Sequence, residues 1–332
     1  LENDKAIGRV RKSYAYFAEN EAHGKSSLYE ELATAVCSDE SLIDFVVRLP
    51  IQKQQPNLVF AAVRHLFGTP ENAQHFSELV KFNREPIRKL ILERNTQTNE
   101  PGRCAALLPA LSMLPQPLAL IEVGASAGLC LLVDRYGYDY GERRLDPRTR
   151  SEEHAPIFPC DANNLTPVPA QIPEIIWRTG LDLNPINLND PEEVSWLETL
   201  VWPGQEARAA RLNAAIRIAQ QNPPTVIKGD LLTDLHELVT TAPRNATLVI
   251  FHSAVLGYLQ SRDDINRFVS SITNIPATWI SNESPLIFPE FTAHLADPPP
   301  GGQFLLAIDG SPVAFTDPHG QYINWIGHEC DR

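Results

Sequence analysis

Ile121-Glu122-Val123-Gly124-Ala125-Ser126-Ala127-Gly128 is the run that decides how this chain is read. Upstream, residues 118–123 are apolar apart from Glu122, which suits one buried strand. Downstream, residues 129–133 continue as a helix. Between them lie residues no larger than serine, so the backbone can turn sharply and approach a ligand, and the helix start offers free N–H groups. Strand, tight turn, helix is the unit from which parallel sheets with helices on their faces are assembled.

The same texture continues toward the C-terminus. Residues 175–183, 225–228, 246–251 and 278–281 read as strands, and 205–221 as an Ala- and Arg-rich helix. Ser261 is placed to cap a helix whose apolar face is Ile265, Phe268, Val269 and Ile272, with Asp264 three residues after the cap. Residues 304–308 and 313–316 flank Asp309-Gly310, a hairpin signal, and 322–326 adds a last strand. Residues 134–173 are aromatic, charged and then Pro-rich, and read as an insertion with little regular structure. The expected fold is α/β: a Rossmann-like, doubly wound, mostly parallel sheet over 117–332 with a C-terminal antiparallel hairpin. Residues 1–116 read as a helical N-terminal lobe, with apolar stripes at four-residue spacing (Leu28, Leu32, Val36) punctuated by Pro50, Pro56, Gly68, Pro70 and Pro86.

In such sheets ligands sit beyond the carboxyl ends of the strands, and the chemistry-bearing residues fall there. The spacing Glu122-x-Gly124-x-Ser126-x-Gly128 resembles the acid-x-Gly-x-Gly-x-Gly motif of class I S-adenosylmethionine-dependent methyltransferases, with Ser126 replacing the middle glycine. The dinucleotide pattern fits worse, because positions 126 and 129 are Ser and Leu. The methyltransferase resemblance implies that Glu122 helps hold the methionine end of the cofactor. Asp182, ending the second strand, stands where nucleotide-binding folds place an acid for the ribose hydroxyls. It lies farther from the first motif than the roughly 20 residues usual, so the insertion must loop out. The resemblance also implies that Asp230, followed by Leu231, meets the adenine amino group; both Asp182 and Asp230 are equally at home as turn residues.

On the substrate side, His252 at the end of the fourth strand has the chemistry of a general base near neutral pH. Tyr258, a little beyond it, is a further substrate candidate. Glu283 ends the fifth strand. His319 sits in Asp317-Pro318-His319-Gly320, which is a turn before it is a site. Gln97, Thr98, Asn99, Glu100 and Arg103 precede the first strand and can lay polar groups over a ligand. Trp196 and Trp202 could wall the same cleft, although aromatics at this spacing usually belong to a core.

The totals narrow the class. The 332 residues are 43% hydrophobic and 21% charged, ordinary for a globular chain, and suggest one large domain or one domain with an appendage. A net charge of −13 without a basic block argues against nucleic acid. No apolar run approaches the roughly 20 residues that span a bilayer, and the opening Leu1-Glu2-Asn3-Asp4-Lys5 has no signal-peptide pattern. Five cysteines without a C-x-x-C pair fit reduced thiols in a cytoplasm, and no metal site is expected.

Longer runs carry a second resemblance. Gln55-Pro-Asn-Leu-Val-Phe-Ala-Ala-Val-Arg64, Thr96-Gln-Thr-Asn-Glu-Pro-Gly-Arg-Cys104, residues 122–129, Gly180-Leu-Asp-Leu-Asn-Pro185, Val201-Trp-Pro203, Lys228-Gly-Asp-Leu-Leu232, residues 251–259 and Thr316-Asp-Pro-His-Gly320 resemble a bacterial family catalogued as domain of unknown function 2332. That resemblance implies one unit across nearly the whole chain and supplies no activity. The leading expectation is therefore an S-adenosylmethionine-dependent methyltransferase acting on a small molecule. A rival is a serine hydrolase, since Gly124-x-Ser126-x-Gly128 also satisfies the nucleophile-elbow pattern, with His319 downstream and Asp297 or Asp309 as the acid. A third is a non-catalytic binding protein of methyltransferase fold.

Overall fold

The structure, a computed structural model, describes residues 2–97, 99–148, 155–259, 261–292 and 302–326. The chain forms two compact units. One comprises Leu1–Thr98 with Asp190–Ala210, the other Asn99–Asn189 with Arg211–Arg332. The division falls at 98/99 rather than at the 116/117 read from sequence texture. Helix Arg103–Ser112 therefore belongs with the sheet, and a later segment joins the helices.

The first unit is helical among its described residues. Its caps are local: Asp39 accepts from the N–H groups of Ser41 and Leu42, and Asn72 from that of His75. Pro56 opens helix Pro56–Phe67, where its missing N–H costs nothing. Phe60 centres the core, with ring centroids of Tyr29, Phe76, Tyr14 and Phe17 at 5.0, 5.4, 5.9 and 6.0 Å. Trp196 and Trp202 pack in this same core. Trp196 donates its indole N–H to the Asn95 carbonyl at 3.0 Å.

The second unit is α/β, with one large, mostly parallel sheet. In chain order its strands are β1 (Leu118–Val123), β2 (Gly137–Asp139), β3 (Arg144–Leu145), β4 (Ile157–Pro159), β5 (Asp161–Ala162) and β6 (Ile175–Asp182). They continue with β7 (Thr225–Lys228), β8 (Thr247–Ser253), β9 (Thr278–Glu283), β10 (Phe304–Ile308), β11 (Ser311–Thr316) and β12 (Tyr322–Trp325). The sheet order is β5-β12-β11-β10-β9-β8-β1-β6-β7. Pairing is parallel from β7 through β6, β1 and β8 to β9, and again between β12 and β5. The β9–β10, β10–β11 and β11–β12 ladders are antiparallel. The β10–β11 turn uses Asp309 and Gly310 at φ of +49° and +79°, as a two-residue hairpin demands.

Two segments differ from expectation. Within 134–173, β2, β3 and β4 form a small three-stranded sheet, and β5 joins the edge of the large one. Residues Leu129–Arg135 form 3-10 turns broken at Leu132 rather than an α-helix. The Tyr136 and Tyr138 hydroxyls donate to the carbonyls of Leu129 and Val133 at 2.8 and 2.6 Å, taking acceptors that a helix would use. Arg178 on β6 fixes the same segment through a bidentate pair with Asp134 at 2.6 and 2.8 Å. It also donates to the Leu131 carbonyl.

Every residue of β1 is buried, as a central strand covered on both faces requires. Ile121 and Val123 enter one core with Ile250, Leu235, Leu238, Ile265, Phe268 and Ile272. The two-residue period turns Glu122 to the other face.

Candidate functional site

Register gathers the chemistry at one edge of the sheet. Glu122 pairs with Gly180 on β6 and Phe251 on β8, and Val123 with Leu181 and His252. His252 in turn pairs with Ser281 on β9. Glu122, His252, Asp182 and Glu283 therefore lie at the same edge, within three residues of one another in register.

The turn after β1 is held in an unusual backbone. Gly124, Ser126 and Gly128 have φ of +75°, +53° and +74°. The left-handed region is free for glycine but strained for Ser126. Asp182 stabilises it: one carboxylate oxygen accepts the Ser126 N–H at 2.8 Å, and the other that of Asn184 at 2.8 Å. Asn99 clasps the turn from the other side, donating to the Ala125 carbonyl at 3.2 Å and accepting from the Leu129 N–H at 3.0 Å. Both glycines face their own chain. A β-carbon on Gly124 would lie 2.7 Å from Val255 Cβ, and one on Gly128 would lie 2.7 Å from Pro224 Cγ.

Beneath the turn, Glu122 is 5% exposed and its Oε2 has no hydrogen-bond partner. Burial pushes its pKa well above the ordinary carboxyl range; nearby Arg103 opposes the rise without cancelling it. Ser126 is equally buried, and its Oγ also has no partner. Arg103 donates to the Pro318 carbonyl at 2.8 Å and the Ser253 carbonyl at 3.2 Å. Glu100 accepts the Gly102 N–H at 3.0 Å, and its carbonyl accepts the Cys130 thiol at 3.4 Å. The neighbouring Cys104 thiol, together with burial, pushes the Cys130 pKa well up, which keeps that thiol protonated and inert.

His252 is fully buried. Its Nε2 accepts the Trp279 indole N–H at 2.9 Å, so its proton sits on Nδ1, which donates to Glu283 Oε1 at 2.7 Å. Both ring nitrogens are engaged, and neither is open to take a proton from a ligand. Glu283 Oε1 also accepts the N–H groups of Val255 and Leu256 at 3.0 and 3.3 Å.

Of the remaining predicted residues, Asp230 accepts the Leu232 N–H at 2.8 Å in a half-buried turn, and Leu231 is buried in the core. Tyr258 is 60% exposed in a short 3-10 turn beyond β8. His319 lies in the β11–β12 turn, where Asp317 accepts its N–H at 2.8 Å; the backbone of that turn packs on Gly102. Asp309 accepts the Trp279 N–H near the start of β9, at the opposite edge of the sheet from Ser126. That placement removes it as an acid for a serine triad. Asp297 and Thr98 lie outside the described residues. Trp196 and Trp202 are core residues of the helical unit. Gln97 belongs to the helical unit as well.

Sequence reasoning missed Trp279, Val255 and Cys130, and it put the amide of Asn282 near the same edge without its partners. The last is fully buried, donating to Ser253 Oγ and accepting from Thr316 Oγ1 at 2.7 Å. Nothing local marks these residues, because each works through partners far away in sequence. Beside the turn, a cavity of about 250 Å³ is walled by Ala127, Pro185, Ile186, Leu188, Pro224 and Val226. Among the described residues no group of side chains has the make-up of a metal site, and no helix is long and apolar enough to cross a membrane.

A family model described as an uncharacterised protein conserved in bacteria, DUF2332, matches residues 11–325. No curated protein matches the chain. Among solved structures, one described as a possible exported protein from Bordetella parapertussis aligns at 10% identity over 84% of this chain and 71% of that one. Its TM-score is 0.28.

Proposed function

The chain belongs to the DUF2332 family of bacterial proteins, and we propose that it is an S-adenosylmethionine-dependent methyltransferase acting on a small molecule. The observation that carries this reading is the buried Glu122 carboxyl under the left-handed turn after β1, whose Oε2 has no hydrogen-bond partner. Two features support it. Numbered along the chain, the parallel strands β7-β6-β1-β8-β9 run 3-2-1-4-5, the doubly wound order of nucleotide-binding sheets. Between β1 and β8 that order reverses, and ligands of such sheets sit at this switch point. Glu122, Ser126 and Ser253 all lie there.

The residues present fit the amino-acid end of the cofactor best. Glu122 Oε2 and Ser126 Oγ are buried polar atoms left without partners, and such atoms cost about 1–3 kcal/mol each until satisfied. An ammonium and a carboxylate are the groups they would hold. Asp182, half-buried at the end of β6, would hold the ribose hydroxyls while keeping Ser126 in its strained backbone. Asp230 and Leu231 would border the adenine. When bound, the cofactor supplies an electrophilic methyl group on a sulfonium.

The protein's own part is positioning. Asn99 and Glu100 clamp the turn, and Arg103 ties the same segment to the ends of β8 and β11. His252 is a positioning residue that orients Glu283, and the exposed Tyr258 offers a substrate contact. His319 acts through its turn, which braces Gly102. A net charge of −13 favours a small, neutral or cationic substrate over nucleic acid.

Calorimetric titration with S-adenosylmethionine and S-adenosylhomocysteine tests this. Micromolar binding that is lost in Gly124→Val is expected, and no binding to either compound refutes the reading. Binding without turnover on any methyl acceptor would make it a binding protein of the same fold. The strained Ser126, with its buried free hydroxyl, favours a serine hydrolase as the second reading. Against it, no histidine bonds that hydroxyl, and a nucleophile needs an adjacent base. Fluorophosphonate labelling that disappears in Ser126→Ala would reverse the order.

A further inference from the structure

Val255 packs against the turn after β1. Gly124 has φ of +75°, and the three atoms nearest the place of a β-carbon all belong to Val255, whose side chain fills that space. Val255 is half-buried, so this contact lies at the edge of the core. It follows Ala254, a non-glycine residue at φ +58°, so its backbone does not rest in a relaxed conformation. What holds it is a chain of buried hydrogen bonds. The Trp279 indole donates to His252, His252 donates to Glu283, and the same Glu283 oxygen accepts the N–H groups of Val255 and Leu256. Trp279, His252 and Glu283 are 4%, 0% and 2% exposed, and the Trp279 and His252 rings are inclined by 27° with centroids 6.0 Å apart.

We propose that Val255 is a plug over the side-chain face of Gly124, latched from the core by Trp279, His252 and Glu283, and that its size limits what can bind at the switch point. This rests on the reading of the cofactor site above. The latch works because a single carboxylate oxygen collects all three donors. Remove the indole N–H, and His252 is no longer held to the tautomer that donates to Glu283. Glu283 then grips the Val255 loop less firmly. The plug is displaced without moving any strand, since Val255 lies beyond the end of β8.

Two measurements on the full chain separate the latch from the cofactor reading. The first is amide hydrogen exchange by NMR in Trp279→Phe and, as a second variant of conserved shape, Glu283→Gln. Exchange at Val255 and Leu256 should accelerate at least about tenfold in either, as for the weakening of the hydrogen bonds that hold these amides. Amides in the middle of β1 should be unaffected. In the wild type, the His252 ring should show its proton on Nδ1, the nitrogen that faces Glu283. Unchanged exchange in both variants, or a proton on Nε2 in the wild type, overturns the latch.

The second measurement is calorimetry with S-adenosylhomocysteine as the probe. Val255→Ala should bind it about fivefold or more tightly than wild type, because less apolar surface must leave Gly124. Equal or weaker binding by Val255→Ala overturns the plug. If neither protein binds the probe, the cofactor reading fails and the plug with it, while the exchange data still decide the latch.

Discussion

Replacing Gly124 by alanine tests the geometry of the turn most directly, because the cost has two separable parts. At φ +75° a residue with a β-carbon sits in the left-handed region, which costs roughly 1–2 kcal/mol. The added β-carbon also lies 2.7 Å from Val255 Cβ, closer than atoms pack, and overpacking of this kind costs typically 1–3 kcal/mol. Gly124→Ala should therefore lose about 2–5 kcal/mol. Val255→Gly removes the collision but not the backbone strain. The double variant should then be less destabilised than the sum of the two singles by about 1–3 kcal/mol, the cost of the overpacking it removes. Urea unfolding of the four proteins, followed by fluorescence and circular dichroism at fixed pH, measures this coupling. Additivity within about 0.5 kcal/mol would mean that Val255 does not seat on Gly124, and the account of the switch point would be wrong.

Other perturbations probe the neighbouring groups. Glu122 has a folded-state pKa raised above its ordinary 4.5, so it contributes fully below that value and its contribution is lost as pH rises through the folded pKa. Glu122→Gln should match wild-type stability near pH 4 and become the more stable protein as pH rises. A variant that is less stable at pH 8 would refute a carboxyl whose ionisation burial disfavours. Asp134→Ala leaves Arg178 without its bidentate partner in a mostly buried place and should cost about 3–5 kcal/mol in urea unfolding. Replacing both by apolar residues should recover much of that loss, and a loss that stays as large would contradict the pairing. Asp182→Ala frees the N–H groups of Ser126 and Asn184 and should cost about 1–3 kcal/mol. Faster amide exchange at Ser126 should accompany it, and unchanged exchange there would remove Asp182 as the support of the turn.

Much of the sheet was legible because its signals are local. β1 and its turn announce themselves as a six-residue run, apolar apart from Glu122, followed by small residues. Strands read at 225–228 and 304–308 form with those bounds. Ser261 caps helix Arg262–Ile272 with its Oγ on the Asp264 N–H, and Ile265, Phe268 and Ile272 are buried as the spacing requires. The short strands of 134–173 were not legible, since two or three residues carry no measurable period. Helix Pro191–Thr199 was missed as well, although Asp190 caps it and Pro191 opens it.

The sequence by itself determined which residues reach the carboxyl edge of the sheet, because strand length and turn chemistry are written in neighbouring residues. It placed Glu122, Asp182, His252 and Glu283 at strand ends, and it marked Gly124 and Gly128 as turn residues. What each does was decided by contacts across tens to hundreds of residues. Trp279 and Glu283 close both nitrogens of His252, Val255 covers Gly124, and Arg103 is bound by Pro318, 215 positions away. A side chain's protonation, access and freedom depend on the atoms packed around it. That packing exists only once the sheet has brought distant strands into register.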